Sequence, residues 1–413
     1  MTTPATTPAT APATAPSRVG ALAVGALPNR TATVGQFAEA RAVPLLAAAV
    51  MIAATAVVVG VIWDISWHMT IGRDTFWTPA HMAIYFGGVV GGLASGAVAL
   101  HTTFRGSESD RAASVRFWGF RAPLGAWVSI WGAFAMLTSA PFDDWWHSAY
   151  GLDVEILSPP HSVLAVGMVA LALGAMLVML AAQNRAREEG AARWAVMYAY
   201  VAGCVLSFLA IMTTEYSWRT MMHSSLFYQV SCAVFPLFLV AAGNTARHKW
   251  GVTLVAGSYT LIRAAMVWIL PLFAAEPKLG PIYQDITHMV PMDFPLLLLV
   301  PAVAMDLLRA RLGSERPWRL ALAQGSAFFA VFLAAQWTFA YYLVSPASHN
   351  WFFAADNFPY DLPTWTNYYK GVWANFDATG AAFLRGMGVA LGLSLASASL
   401  GAAWARWLRN VKR

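Results

Sequence analysis

Two short stretches of this chain gather side chains able to hold a metal ion. The first reads Asp64-x3-His68-x12-His81 and the second Asp143-x3-His147-x13-His161. A tryptophan precedes the first histidine of each (Trp67, Trp146). Each stretch closes on Ser/Thr-Pro-x-His, as Thr78-Pro79-Ala80-His81 and Ser158-Pro159-Pro160-His161. Residues at i and i+4 share one face of a helix, so each Asp and its nearer His point the same way wherever the helix continues. The Ser/Thr-Pro pairs read as N-cap and N1, because proline lacks the amide hydrogen that is unpaired there anyway. His81 and His161 then sit in the first turn of a returning helix, whose positive dipole end disfavours imidazolium and leaves a lone pair to donate. A single Asp or His near a helix end is ordinarily a cap or an interfacial residue; duplication of the whole pattern singles out these six. Two imidazoles and one carboxylate suit non-haem iron, zinc or copper. Asp74 and Arg73 lie between the ligands of the first stretch, where they would orient ligands, deliver protons or brace the loop as a salt-bridge partner.

The elements that carry these residues are read from composition. Of 413 residues 58% are hydrophobic and 11% charged, against about 25% charged in a soluble domain; mean hydropathy is +0.55. An all-α polytopic membrane protein follows, with about ten spans of roughly 20 residues at 43–63, 79–101, 124–142, 160–182, 193–213, 223–243, 251–273, 288–308, 319–343 and 380–403. The span at 288–308 contains several prolines. Each metal-binding stretch joins the end of one span to the start of the next, so the repeat unit is a two-helix hairpin. The net charge of +6 is a topology signal rather than a mark of nucleic-acid binding. With the N-terminus inside, only Arg73, Arg219, Lys278 and Lys370 fall in outer segments, as the positive-inside rule requires. Both termini are thus expected in the cytoplasm, the chain in the inner membrane, and both metal stretches on its periplasmic or extracellular side.

Residues 1–42, which open on a Thr/Pro/Ala tract, read as a disordered cytoplasmic tail. Residues 43–182 form a four-helix metal-binding repeat region, and 183–413 a six-helix region with a long outer loop at 344–379. Cys204 and Cys232 fall within spans, so neither a disulfide framework nor a CxxC motif is available. The sequence shows no phosphate-cradling glycine loop, no nucleophile elbow and no broken-helix pair at mid-membrane. Its glycine-rich "FGGVVGGLASG" fits close helix packing in lipid. The later outer segments carry Glu215, His223, Asp285 and His288 beside several methionines. These four residues are candidates for an auxiliary copper site, since thioether and imidazole favour that metal, although methionines in apolar chains are mostly packing.

The first stretch, "DISWHMTIGRDTFWTPAHMAIY", closely resembles the metal-binding segment of the C subunit of the copper membrane monooxygenases, the particulate methane and ammonia monooxygenase family. The resemblance covers roughly residues 60–175. It implies that Asp64, His68 and His81 bind copper, and that Asp143, His147 and His161 form a neighbouring site. The family can use Asn where this chain has Asp143, a change that adds negative charge and favours a harder cation such as iron or zinc there. The function implied is a copper-dependent oxygenase, or a subunit of one, that oxidises a small apolar or gaseous substrate with O2. The alternative class is a non-catalytic copper-handling protein that stores, delivers or senses the ion. Expected partners are the lipid bilayer, other monooxygenase-type subunits or an electron donor, and further copies of the chain. Spans five to ten have no counterpart in that family's C subunit.

Overall fold

The apolar runs fold into helices whose starts are written in the sequence. Prolines occupy the first turns of α2 (Pro79–Phe104), α5 (Pro159–Arg185) and α10 (Pro317–Leu343), where a missing amide hydrogen costs nothing. The structure, a computed structural model, describes residues 30–151, 158–217, 221–279, 285–313, 315–356, 359–360 and 377–413, with the backbone alone for 30–43 and Glu189. Residues 41–413 form one compact unit. Residues 1–40 form another, and its described part, 30–40, is helical.

The remaining helices are α1 (Arg30–Thr70), the short α3 (Glu108–Ala112), α4 (Leu124–Tyr150), α6 (Glu188–Met212), α7 (Ser225–Gly243), α8 (Gly251–Ile269), α9 (Leu299–Leu312) and α11 (Gly380–Leu408). Among the described residues nine helical segments of 19 to 29 residues are long and apolar enough to cross a membrane. The only sheet among them is an antiparallel hairpin, β1 (Val115–Phe117) with β2 (Phe120–Ala122), between α3 and α4. The fold is that of an all-α polytopic membrane protein.

Small residues let the helices of the repeat region touch. A Cβ on Gly87 of α2 would lie 2.7 Å from the Ala53 carbonyl oxygen of α1, and one on Gly132 of α4 would lie 2.5 Å from the Leu171 amide nitrogen of α5. Neither position has room for a methyl group. Gly132→Ala is therefore expected to push α4 and α5 apart and to cost about 1–3 kcal/mol. The check is a lower unfolding midpoint in detergent. Helices α2 and α4 also pack together, so α1, α2, α4 and α5 run alternately up and down, and both hairpin tips lie at one end of the bundle.

The eighth crossing departs from expectation. The predicted span at 288–308 is not one helix: residues 285–298 are almost wholly non-helical, and only Leu299–Leu312 is helical. Fourteen residues rise about 21 Å, short of a hydrocarbon core of about 30 Å. Pro291 and Pro295 explain the break, because each lacks an amide hydrogen and would clash with the preceding turn. The segment still traverses the bundle. Met289 N–H bonds the Phe273 carbonyl at one end (3.0 Å), and Asp306 accepts from Thr253 N–H at the other (2.7 Å). Among the described residues nine helical segments and this broken one thus run the length of the bundle, and the break falls where the sequence already shows several prolines. Hydropathy counts apolar side chains and is blind to how the backbone groups are satisfied.

Those backbone groups are satisfied by side chains from four directions. Thr70 Oγ1 accepts from Val290 N–H (2.8 Å), the Tyr360 hydroxyl from Phe294 N–H (2.9 Å), the Tyr259 hydroxyl from Leu296 N–H (3.1 Å) and Gln336 Oε1 from Leu297 N–H (3.0 Å). Buried Arg263 donates to the Asp293 carbonyl (3.3 Å) and the Met292 sulfur (2.9 Å). Irregular backbone at membrane depth survives only where protein supplies such partners.

Candidate metal centres

Helix α1 continues unbroken through Thr70, and α4 through Tyr150. The expected Asp/His pairs therefore do share a helix face: His68 Nε2 lies 3.9 Å from Asp64 Oδ2, and His147 Nε2 3.5 Å from Asp143 Oδ2. The returning helices bring the third residue of each set. His81 Nε2 lies 3.0 Å from Asp64 Oδ1, and His161 Nε2 3.3 Å from Asp143 Oδ1. One ligand atom from each of Asp143, His147 and His161 lies within 4.8 Å of the others, and the same holds for Asp64, His68 and Asp74.

Asp74 is the residue whose place the sequence undervalued. It was expected to act around the ligands, yet its Oδ2 lies 3.4 Å from His68 Nε2 and 3.4 Å from His81 Nε2. The first cluster therefore contains two imidazoles and two carboxylates. The loop that delivers Asp74 is closed locally. Thr78 Oγ1 accepts from Thr75 N–H (2.8 Å), Thr78 N–H bonds the Thr75 carbonyl (2.9 Å), and Trp67 Nε1 donates to the Arg73 carbonyl (2.9 Å). Thr78 consequently makes no side-chain cap to α2, whereas Ser158 caps α5 as expected, accepting from His161 N–H at 3.4 Å. Arg73 itself is exposed and contributes its carbonyl. The His68 ring beside it holds the Asp74 carboxyl down at about 2, so Asp74 is ionised at neutral pH.

Ring orientation shows what these clusters can hold. His81 Nδ1 lies 2.9 Å from the Thr75 carbonyl, and His147 Nδ1 3.1 Å from the Gly151 carbonyl. A carbonyl only accepts, so each Nδ1 carries the hydrogen, and in the neutral ring Nε2 is a bare lone pair. Both lone pairs face carboxylate oxygens at 3.0 to 3.5 Å. Lone pair against carboxylate is repulsive, and a cation between them, a proton or a metal ion, removes the repulsion. Asp64 Oδ1 is buried and, despite the 3.0 Å approach of His81 Nε2, accepts no hydrogen bond of sound geometry. The spacing also suits an ion. Bonds of about 2.1 Å to nitrogen and oxygen in a tetrahedron place the ligands roughly 3.4 Å apart. Anchoring of the far ring nitrogen by a backbone carbonyl is the usual support of a metal-binding histidine. The residues present fit a metal ion in both hairpins.

Tyr85 stands one turn along α2 from His81, with its ring 6.2 Å from the imidazole, on the helix that packs against α4 of the second hairpin.

The proposed auxiliary residues are not gathered. Among the described residues, Glu215, His223, Asp285 and His288 belong to no cluster of three ligand atoms. Glu215 and Asp285 are exposed. His288 Nδ1 lies 2.9 Å from its neighbour Thr287 Oγ1. His223 is buried, with Nε2 3.2 Å from the Trp337 carbonyl and its ring packed on Trp337 and Tyr341, and that burial pushes its pKa below the usual histidine range. Cys204 and Cys232 are buried free thiols. Of the long loop at 344–379, residues 357–358 and 361–376 lie outside the described residues, as do Arg219 and Lys370.

No family model, no curated protein and no solved structure matches this chain.

Proposed function

We propose that this chain is a membrane metalloprotein whose two hairpins each hold a metal ion, and that it works as a copper-dependent oxygenase or a subunit of one. The observation that carries the reading is the paired ring geometry: in each hairpin a carbonyl-anchored histidine turns a lone pair onto a carboxylate. Asp64, His68, Asp74 and His81 would hold one ion; Asp143, His147 and His161 would hold the other. Copper is favoured at the first site by the resemblance of residues 60–175 to the monooxygenase C subunit. Iron or zinc remains a candidate at the second, where Asp143 adds charge.

A bound copper ion would supply one-electron chemistry with O2. The chain's own residues would do the positioning. The Thr75 and Gly151 carbonyls fix ring tautomer and orientation, so that Nε2 points inward without a reorganisation cost. The two carboxylates of the first cluster would neutralise a divalent ion, which lowers the cost of holding charge at the membrane boundary. A site at a helix-hairpin tip lies beside lipid, where small apolar or gaseous substrates concentrate. Electrons would come from a partner subunit or a separate donor. The basic residues Arg105, Arg111, Arg185, Arg247, Arg309 and Arg409 lie at the bundle end opposite the hairpin tips, which supports a periplasmic placement of the clusters.

Metal-loaded protein given reductant, O2 and a panel of short alkanes, alkenes and ammonia is expected to consume O2 in proportion to one of them. Stoichiometric copper with no substrate-dependent consumption, partner subunits included, would overturn the oxygenase reading in favour of copper storage, delivery or sensing.

A further inference from the structure

We propose that the broken eighth crossing exists to position the first cluster, which gives the second half of the chain a role; the inference rests on metal binding by Asp64, His68, Asp74 and His81. Helix α1 turns about 100° per residue, so Ser66 and Thr70 lie roughly 200° round from Asp64 and His68. One face of the same two turns meets the cluster and the opposite face meets residue 290. Both backbone groups of Val290 are taken there: its N–H bonds Thr70 Oγ1 (2.8 Å), and its carbonyl accepts from Ser66 Oγ (2.5 Å). The Thr70 hydroxyl passes its own hydrogen to the Ser66 carbonyl (2.6 Å), which closes a three-residue clasp. The clasp is dry, with Ser66 0%, Thr70 2% and Val290 4% exposed.

The same half of the chain grips the next residues of the loop. Lys278 N–H bonds the Ile71 carbonyl (2.9 Å), and Leu279 packs over Gly72, which adopts a φ of +82°. A side chain at Gly72 would be strained by that backbone and would meet Leu279. Behind the clasp, Arg263, Tyr259, Gln336 and Tyr360 tie residues 292–297 to the rest of the bundle. A continuous helix could not do this, because its N–H and C=O groups are spent internally. A non-helical strut exposes them at a fixed height, and a slip of one residue would strand several in an apolar medium. The clasp therefore sets the height and rotation of the α1 turn that carries Asp64 and His68, and holds both opposite His81. The second cluster is carried by α4 and α5, outside the clasp.

The test uses full-length protein stripped of metal, with copper(II) as probe in competition with a chelator, in a His147→Ala/His161→Ala background that isolates the first site. Thr70→Val keeps the shape and removes the hydroxyl; Ser66→Ala removes its donor. Each is expected to weaken copper binding about 10- to 100-fold, as loss of supporting hydrogen bonds does at other metal sites, and to alter the copper paramagnetic resonance spectrum. Thr70→Ser is expected to restore both. Tyr259→Phe, which loosens the strut far from the cluster, is expected to give a smaller change of the same kind and provides a second variant should Thr70→Val fold poorly. Parent-like affinity and spectrum in both Thr70→Val and Ser66→Ala would overturn the inference, as would failure of Thr70→Ser to restore them. Failure of the metal reading looks different: the parent itself would then take up no more copper than a His68→Ala/His81→Ala chain, and the inference would fall with it.

Discussion

Replacing His68 and His81 together by alanine is expected to remove one bound metal ion per chain and to leave the second in place. The two rings supply both nitrogen donors of the first cluster, and a carboxylate pair alone, side-chain exposure 23% and 22%, is a poor trap for a borderline metal that prefers imidazole. The second cluster stands on α4 and α5 and shares no ligand with the first. The converse pair, His147→Ala with His161→Ala, is expected to empty the second site alone. The competing account of the same distances is a set of hydrogen-bonded histidinium–carboxylate pairs. In that account neither double variant changes metal content. Elemental analysis of purified parent and variants separates the two.

The second large effect is at Asp74. Asp74→Asn is expected to weaken copper binding at the first cluster by about 10- to 100-fold, or roughly 1.4–2.7 kcal/mol, and Asp64→Asn by at least as much. Asp74 Oδ2 stands 3.4 Å from each of the two Nε2 atoms, whereas Asp64 divides its oxygens between the rings. The amide keeps the shape of the side chain and loses the charge that would neutralise a divalent ion. Had Asp74 merely braced the loop, asparagine would serve nearly as well, because the turn is closed by Thr75, Thr78 and the Trp67 ring rather than by the Asp74 side chain. Chelator competition measures the difference, and unchanged affinity would return Asp74 to a bracing role.

The six residues of the two hairpins were legible because local rules place them. The i, i+4 pairing needs only a continuous helix, and Ser/Thr-Pro-x-His needs only a helix start; both are written in consecutive residues. Asp74 was legible as a charge and not as a cluster member, since its place depends on a loop that folds back through Trp67 Nε1 and the Thr75–Thr78 turn. Nine of ten crossings followed from hydropathy. The eighth was expected as a helix despite its prolines, because its apolar residues do not reveal that Thr70, Tyr259, Gln336 and Tyr360, from elsewhere in the chain, take its amide hydrogens. Glu215, His223, Asp285 and His288 illustrate the opposite failure. They are suggestive by type, but no spacing rule brings them together, and among the described residues they belong to no cluster of three ligand atoms.

Both hairpins are expected to bind metal. The most direct test is a titration of chelator-stripped, membrane-extracted protein with copper, followed by X-ray absorption at the metal edge. Two tightly held ions per chain, each with imidazole nitrogen and carboxylate oxygen in its shell, is the predicted result. Uptake well below one ion per chain, or a shell without imidazole, would contradict it.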